Sequence, residues 1–573
     1  MGVATVGVLH ASVRRQFSPQ AALLAGAVLA LTPVAALMFR FNNPDALLVL
    51  LLTLAAYATL RAVEDGRTRW MVLAGALIGL AFLTKQLQAF LVLPGFALAY
   101  LATAPVAGRR RLRDGFLAVG AMVLAAGWWI ALVGLVRASM RPYIGGSQTN
   151  SFLELTFGYN GLGRLTGSET GSVGGGGGQA GGWGATGLDR LFSAEIGGQI
   201  SWLIPAALVL GGVGLWLRRR TARTDAPRAA LVVWGAWLVV TALTFSLMAG
   251  IFHAYYAVAL APPIAALVGI GAALVWQRRP ARWALAVLAA VTVATSAWAF
   301  VLLGRSGDFL PWLRPVVLVA GVAAAAGLLA ARRIGPRALR TATAVALVAA
   351  LAGPAAYTVS TVTTAHTGSI VTAGPAVAGD AGGPGGPGGA PGAAPGGPRG
   401  GFGAGRAPGG LGQPPPRRGT AAGPNVPGVG TAGRPAAGPL GARPGGVGAL
   451  LDGSSPSAAV TTLLLQDAAA YTWVAATVGA NSAAGYQLAT QQSVMPIGGF
   501  NGSDPSPTLA AFKADVAAGK IHYFISGGGL GPARGGSSAS GAISAWVQAT
   551  FTAQPVAGVT LYDLTAAAPA TGT

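Results

Sequence analysis

The sequence predicts an α-helical multi-spanning membrane bundle of about eleven helices, followed by a flexible Gly/Pro tether and a small α/β domain. Three observations carry that prediction. Of the 573 residues, 53% are hydrophobic and only 9% charged, with a mean hydropathy of +0.58, the balance of a multi-pass membrane protein rather than of one soluble domain. Apolar runs long enough to cross about 30 Å of hydrocarbon recur throughout residues 1–357. Beyond residue 455, helix-like and strand-like stretches alternate, as they do around a mostly parallel sheet. The chain therefore divides into a membrane domain (1–357), a Gly/Pro/Ala-rich linker (358–454) and an α/β domain (455–573).

Met1–Ser12 is apolar but too short to span, and it has neither the basic start nor the cleavage site of a signal peptide. The expectation is that it ends a helix begun upstream. Crossings follow at roughly 20–39, 45–63, 70–84, 86–104, 114–137, 199–217, 229–249, 254–276, 283–304, 315–331 and 338–357. Arginine placement tests this assignment, because cytoplasmic loops carry the positive excess. Alternate connections hold Arg14/Arg15, Arg61/Arg67/Arg69, Arg109/Arg110/Arg111/Arg113, Arg218/Arg219/Arg220/Arg223/Arg228, Arg278/Arg279/Arg282 and Arg332/Arg333/Arg337/Arg340. The opposite connections hold only scattered basic residues, among them Arg40, Lys85, Arg141 and Arg164. The connection at 40–45, the long outer loop 138–198 and everything after Tyr357 are thus expected outside the cell, together with any chemistry they support.

Composition also excludes function classes. The net charge of +22 is spent on orienting the spans, so no nucleic-acid partner is expected. With no cysteine, disulfides, thiolate nucleophiles and Cys-based zinc or iron–sulfur sites are ruled out. A divalent metal, left open as a cofactor, would need His or carboxylate ligands.

Three polar interruptions fall at the expected outer ends of helices. In Phe39-Arg40-Phe41-Asn42-Asn43-Pro44-Asp45, the Asn, Pro and Asp suit a helix start, and they equally suit a lipid-phosphate or metal site. Lys85 breaks an apolar stretch, either to pair with a lipid phosphate or to snorkel from a helix end. His253-Ala254-Tyr255-Tyr256 opens another span, either as a ligand-binding group or as an aromatic belt.

The 138–198 loop has an ordered-looking part, 150–167, and then a glycine run around Gly174–Gly182. The apolar residues of the first part fit an interfacial anchor or a lid over a substrate. Residues 372–449 are dominated by Gly, Pro and Ala, a composition unable to bury a core. In the α/β domain, helices are expected at 456–468, 508–518 and 539–551, and strands at 472–478, 494–497, 521–526 and 559–564. The Gly498–Asp504 loop follows a strand, where open α/β sheets bind ligands, although a tight turn explains its glycines as well.

Taken in order, Arg40-Phe-Asn-Asn-Pro-Asp45, Phe157-Gly-Tyr-Asn-Gly-Leu-Gly-Arg164, His253-Ala-Tyr-Tyr256 with Ala261-Pro262, and His366-Thr-Gly-Ser369 resemble a bacterial branch of glycosyltransferase family 39. The C-terminal strings Tyr486-Gln-Leu-Ala-Thr490, Gly498-Gly-Phe-Asn-Gly-Ser-Asp504 and Gly519-Lys-Ile-His-Tyr523 resemble that branch's extracytoplasmic domain. The resemblance implies a GT-C fold in a bacterial cell membrane, transferring a mannose-like hexose or a pentose from a polyprenyl-phosphate donor to an extracytoplasmic protein, lipid or wall glycan. It further implies substrate-binding roles for Arg40, Asn43, Asp45, Lys85, Glu154, Tyr159, Asn160, Arg164, His253, Tyr255 and Tyr256. The family's principal catalytic acid sits in a first outer loop that is expected upstream of Met1, so no catalytic residue is assigned in this chain. An inactive anchor displaying the C-terminal domain, and a transporter, are the alternatives.

Overall fold

The computed structural model describes residues 1–172, 185–366, 368, 370–377, 453–527 and 536–566. The Gly174–Gly182 run, nearly all of the expected tether, and Thr367 and Ser369 of the His366 string lie outside the described residues.

The membrane body is built from α1 (Gly2–Gln16), α2 (Pro19–Ala30), α3 (Pro33–Met38), α4 (Asp45–Asp65), α5 (Thr68–Lys85), α6 (Leu93–Thr103) and α7 (Gly108–Leu135). The outer-loop helices α8 (Phe152–Phe157) and α9 (Gly163–Thr166) follow. Then come α10 (Ala194–Ile200), α11 (Ile204–Arg218), α12 (Ala226–Leu247), α13 (Ala261–Gln277), α14 (Arg282–Gly304), α15 (Leu313–Ile334) and α16 (Pro336–Thr363). Helices start where the sequence caps them: Ser18 accepts the Ala21 N–H at 3.2 Å and Asp225 the Arg228 N–H at 2.7 Å.

Among the described residues, nine helical runs are long and apolar enough to cross a membrane. The run Thr68–Thr103 makes two passes. Gln86 takes a φ of 46°, and the chain returns until Pro105 packs on Gly66, the residue that ends α4. Pro19–Met38 makes another pass, broken between α2 and α3 at Thr32-Pro33, where the proline supplies no amide donor. These passes account for the eleven crossings expected. Two boundaries move: the run containing α11 begins at Ala194, and α16 continues to Thr363, beyond the expected end of the membrane domain.

Phe116, Leu124, Val319 and Val348 are exposed on the flank of the bundle, the pattern of side chains that face lipid. The chain is a multi-pass membrane protein. Inside, Trp234 and Trp237 stack at 5.6 Å and Phe96 meets Trp237 edge-on, while hydroxyls such as Thr53 and Thr59 bond back to carbonyls four residues earlier. The arginine-rich connections gather at one end of the bundle, where Arg15 pairs with Glu64, Arg110 donates to the Gly66 carbonyl and Arg223 to that of Ala102.

The C-terminal domain has a five-stranded sheet of order β2-β1-β3-β5-β4, from β1 (Trp473–Val478), β2 (Val494–Ile497), β3 (Ile521–Ser526), β4 (Ala553–Val556) and β5 (Val559–Asp563). The first three pair in parallel, and β4 and β5 close the edge as an antiparallel hairpin. Residues 480–490 form a helix that the sequence did not suggest. Its alanines and glycine carry little apolar periodicity, and packing on β2 holds it in place.

Close helix contact positions the site. α5 and α7 meet where Gly75 faces the Ala118 backbone and Gly79 the Met122 backbone, leaving no room for a side chain. Gly75→Leu should therefore cost about 1–3 kcal/mol or more by forcing the pair apart, whereas Gly120→Leu, which meets nothing within 4 Å, should leave the thermal midpoint in detergent unchanged. Equal midpoints for the two variants would contradict this packing.

Candidate active site

Two buried ion pairs form the end of the bundle opposite the arginine clusters. Asp45 is the first residue of α4 and fully buried, its N–H held by Asn43 Oδ1 at 2.8 Å. Lys85 closes α5, and its Nζ donates to both Asp45 oxygens at 2.6 Å while standing 3.9 Å from the Tyr256 ring centre. The acid sits at a helix N-terminus and the amine at a helix C-terminus, so each dipole favours its charge, and the ring face adds a cation–π contact. Asn43 also hydrogen-bonds Tyr255, so one side chain holds both the start of α4 and a ring that lines a cavity.

The second pair joins segments far apart in the chain. Arg164 lies 3.2 Å from Glu169 and donates to the Ile251 carbonyl and to Asn160 Oδ1, each at 3.3 Å, with the Tyr159 ring 4.9 Å away. Glu169 also accepts the Ile251 N–H at 3.0 Å, and the Ala249 and Gly250 amides donate to the carbonyls of Leu165 and Arg164. Burial pushes the Glu169 carboxyl above its ordinary range, against the pull of Arg164. His253, just before the span that begins at Ala254, stacks on Tyr255 at 5.3 Å. Burial, reinforced by the Arg164 and Lys85 cations, holds His253 down at about 3. It is a neutral imidazole at physiological pH, a hydrogen-bonding group rather than a second positive charge.

Two neighbouring cavities share Arg164, Asn160 and Tyr256 in their linings. One, of about 280 Å³, is walled by Tyr159, His253 and Tyr255 on the membrane body and by Phe500, Asn501, Ser503 and Asp504 of the C-terminal domain. The other, of about 360 Å³, is lined by Lys85 and the apolar Leu83, Leu87, Leu91, Phe152, Leu165, Phe245 and Met248. Gln86 and Gln88 line it as well, and among the described residues buried Gln86 Oε1 and Gln88 Nε2 have no hydrogen-bond partner, the condition of groups that a ligand or water can satisfy.

Seven of the expected residues, Lys85, Tyr159, Asn160, Arg164, His253, Tyr255 and Tyr256, line one or both cavities, and Asp45 and Asn43 stand directly behind them. Two do not converge. Arg40 is exposed and donates to the Val362 carbonyl at 2.8 Å. Glu154 serves its own turn, accepting the Gln148 and Thr149 amides at 2.8 Å and the Thr149 hydroxyl. In the 150–167 segment Leu153, Phe157 and Leu162 are exposed, while Tyr159, Asn160, Arg164 and Leu165 line the cavities. Glu169, Gln86 and Gln88 escaped the sequence reading; the one available signal was an acid five residues after Arg164 in a chain with 16 acidic residues. Among the described residues, no three His, Asp or Glu side chains converge, and Asp45 is paired with Lys85.

The chain combines a multi-helix membrane body, a charged, cleft-like mouth and an appended α/β domain. The family described as dolichyl-phosphate-mannose-protein mannosyltransferase matches residues 1–131, and that described as putative mannosyltransferase YkcB-like, C-terminal, matches residues 460–550. The chain is 30% identical to the putative mannosyltransferase YkcB of Bacillus subtilis (strain 168) over 92% of its own length and 77% of that protein's. It is 35% identical to the putative mannosyltransferase YycA of the same organism over 47% of this chain and 50% of that protein. The crystal structure of ArnT from Cupriavidus metallidurans bound to undecaprenyl phosphate gives a TM-score of 0.37 at 22% identity, covering 62% of this chain and 60% of that one. The chain belongs to the YkcB-like family of putative mannosyltransferases.

The Asp45–Lys85 pair sets a prediction. Asp45→Ala leaves a buried ammonium unpaired and should cost about 3–5 kcal/mol, whereas Asp45→Leu with Lys85→Met removes both charges and should recover most of that loss. Unfolding in detergent measures both. A single variant as stable as the double one would contradict the pairing.

Proposed function

We propose that this chain moves a sugar from a polyprenyl-phosphate donor to an acceptor on the extracytoplasmic face of a bacterial membrane. The observation that carries the reading is the junction of the two cavities at Arg164. One cavity has the apolar walls an isoprenoid chain needs, with Lys85 and the Gln88 amide, unpartnered among the described residues, in its lining. The other has the aromatic and hydroxyl-binding groups a sugar ring needs. A phosphate at the junction would meet the Arg164 fork and the Lys85 ammonium. These polar groups lie at the ends of helices rather than in broken helices near mid-membrane, which favours transfer over transport.

In the reaction, the acceptor hydroxyl oxygen forms a bond to the anomeric carbon from the side opposite the phosphate. The bond from that carbon to the phosphate oxygen breaks and leaves its electron pair on the phosphate, so the sugar is inverted. The hydroxyl proton passes to a carboxylate, and Arg164 and Lys85 stabilise the charge that gathers on the departing lipid phosphate. The sugar would be a mannose-like hexose or a pentose, and the acceptor a protein, lipid or wall glycan.

Arg164→Ala should lower turnover with a polyprenyl-phosphate sugar by at least about a hundredfold. Arg164→Lys, which keeps the charge and loses the planar fork, should recover only part of it. Transfer at the wild-type rate in both variants, with the protein folded in detergent, would remove the assignment.

A further inference from the structure

The C-terminal domain does more than sit at the end of a linker. Its β2-to-helix loop, Gly498–Asp504, is pinned onto the membrane body by four polar contacts. Asn501 Nδ2 donates to the Tyr159 hydroxyl and to the Gly171 carbonyl at 3.3 Å, Ser503 Oγ to the Gly171 carbonyl at 2.7 Å, and the Gly146 N–H to Asp504 Oδ2 at 3.0 Å. The loop is set before any ligand arrives. Gly498, Gly499 and Gly502 all take positive φ, and a Cβ on Gly499 would run into the Asp504 carboxylate. Its backbone is tied to its own domain through Ala480 N–H to Gly499 O at 2.9 Å and Ser537 N–H to Ser503 O at 2.8 Å.

The location within the domain matters. In the sheet order β2-β1-β3 the loop lies at the C-terminal end of the outer strand β2, next to the C-terminal end of β1. This is the edge at which open α/β sheets take their ligands. Here the edge faces the 280 Å³ cavity of the membrane body rather than bulk water.

The chemistry of the loop differs from that of the wall opposite. Arg164 stands on the membrane side, next to the cavity that holds Lys85. The loop offers the cavity a carboxylate, an amide, a hydroxyl and the Phe500 ring, which is 46% exposed, and no cation. Carboxylates and amides bind sugar hydroxyls and aromatic faces pack on sugar rings, whereas none of these favours a phosphate. We infer that the Phe500–Asp504 loop of the C-terminal domain is the sugar-selecting wall of the transfer cavity, so the soluble domain sets which donor sugar is accepted. This inference rests on the donor reading above and deepens it.

The experiment uses the full chain in detergent or nanodiscs and two donors that differ at one hydroxyl, polyprenyl-phosphate mannose and polyprenyl-phosphate glucose. Phe500→Leu alters a group that makes none of the docking bonds, and Asp504→Asn keeps an oxygen to accept the Gly146 N–H, so both should fold and dock. The expected result is a change of about tenfold or more in the ratio of kcat/KM for the two donors, with binding of sugar-free polyprenyl phosphate unchanged. Wild-type transfer with the same donor ratio in both variants overturns this inference alone. A wild-type protein that transfers from neither of these lipids nor from a polyprenyl-phosphate pentose removes the donor reading, and this inference with it.

Discussion

Charge buried at the mouth of an apolar bundle is the constraint on which the rest of this structure depends. A carboxylate or ammonium taken out of water costs several kcal/mol unless it is paired and hydrogen-bonded. Lys85 and Arg164 meet that requirement through Asp45 and Glu169, the first pair with its acid fully buried and the second with its acid 3% exposed. The acids neutralise the cations without covering them, because each cation still borders a cavity. A bundle that had merely to be stable could replace both pairs with hydrophobic side chains of similar volume.

The pairs also fix the architecture. Asp45 and Lys85 tie the start of α4 to the end of α5, so the reversal at Gln86 presents Gln86 and Gln88 to the cavity. Arg164 and Glu169 tie the outer loop to the backbone of residues 249–251, and the same loop then receives Asn501 and Ser503 from a domain more than three hundred residues later in the chain. The junction is thus assembled from five separated stretches, each held by hydrogen bonds that would cost free energy to leave unmade.

Much of this was legible in the sequence, for identifiable physical reasons. Hydropathy gave the passes, and arginine alternation put the basic connections at one end of the bundle, because membranes penalise misplaced charge so strongly. Strands β2 and β3 begin and end where alternation and flanking glycines placed them. Polar interruptions in apolar runs picked out Asp45, Lys85 and His253, since such residues persist only where something compensates them. Arg40 and Glu154 carried a similar signal and went elsewhere, because an exposed arginine and a turn-forming glutamate look the same in one dimension. Glu169 sits among glycines, serines and threonines with no periodicity to mark it. The placing of Phe500, Asn501, Ser503 and Asp504 on the 280 Å³ cavity is a tertiary fact; the strand-end rule identified the loop, and nothing local said what it would face.

The most direct test is an experimental structure of the full chain with polyprenyl phosphate bound. The account predicts the phosphate between Arg164 and Lys85, within hydrogen-bond distance of at least one of them, with the isoprenoid chain running past Leu83, Leu87 and Leu91. A phosphate held elsewhere on the bundle, with the Arg164 junction empty, would contradict it.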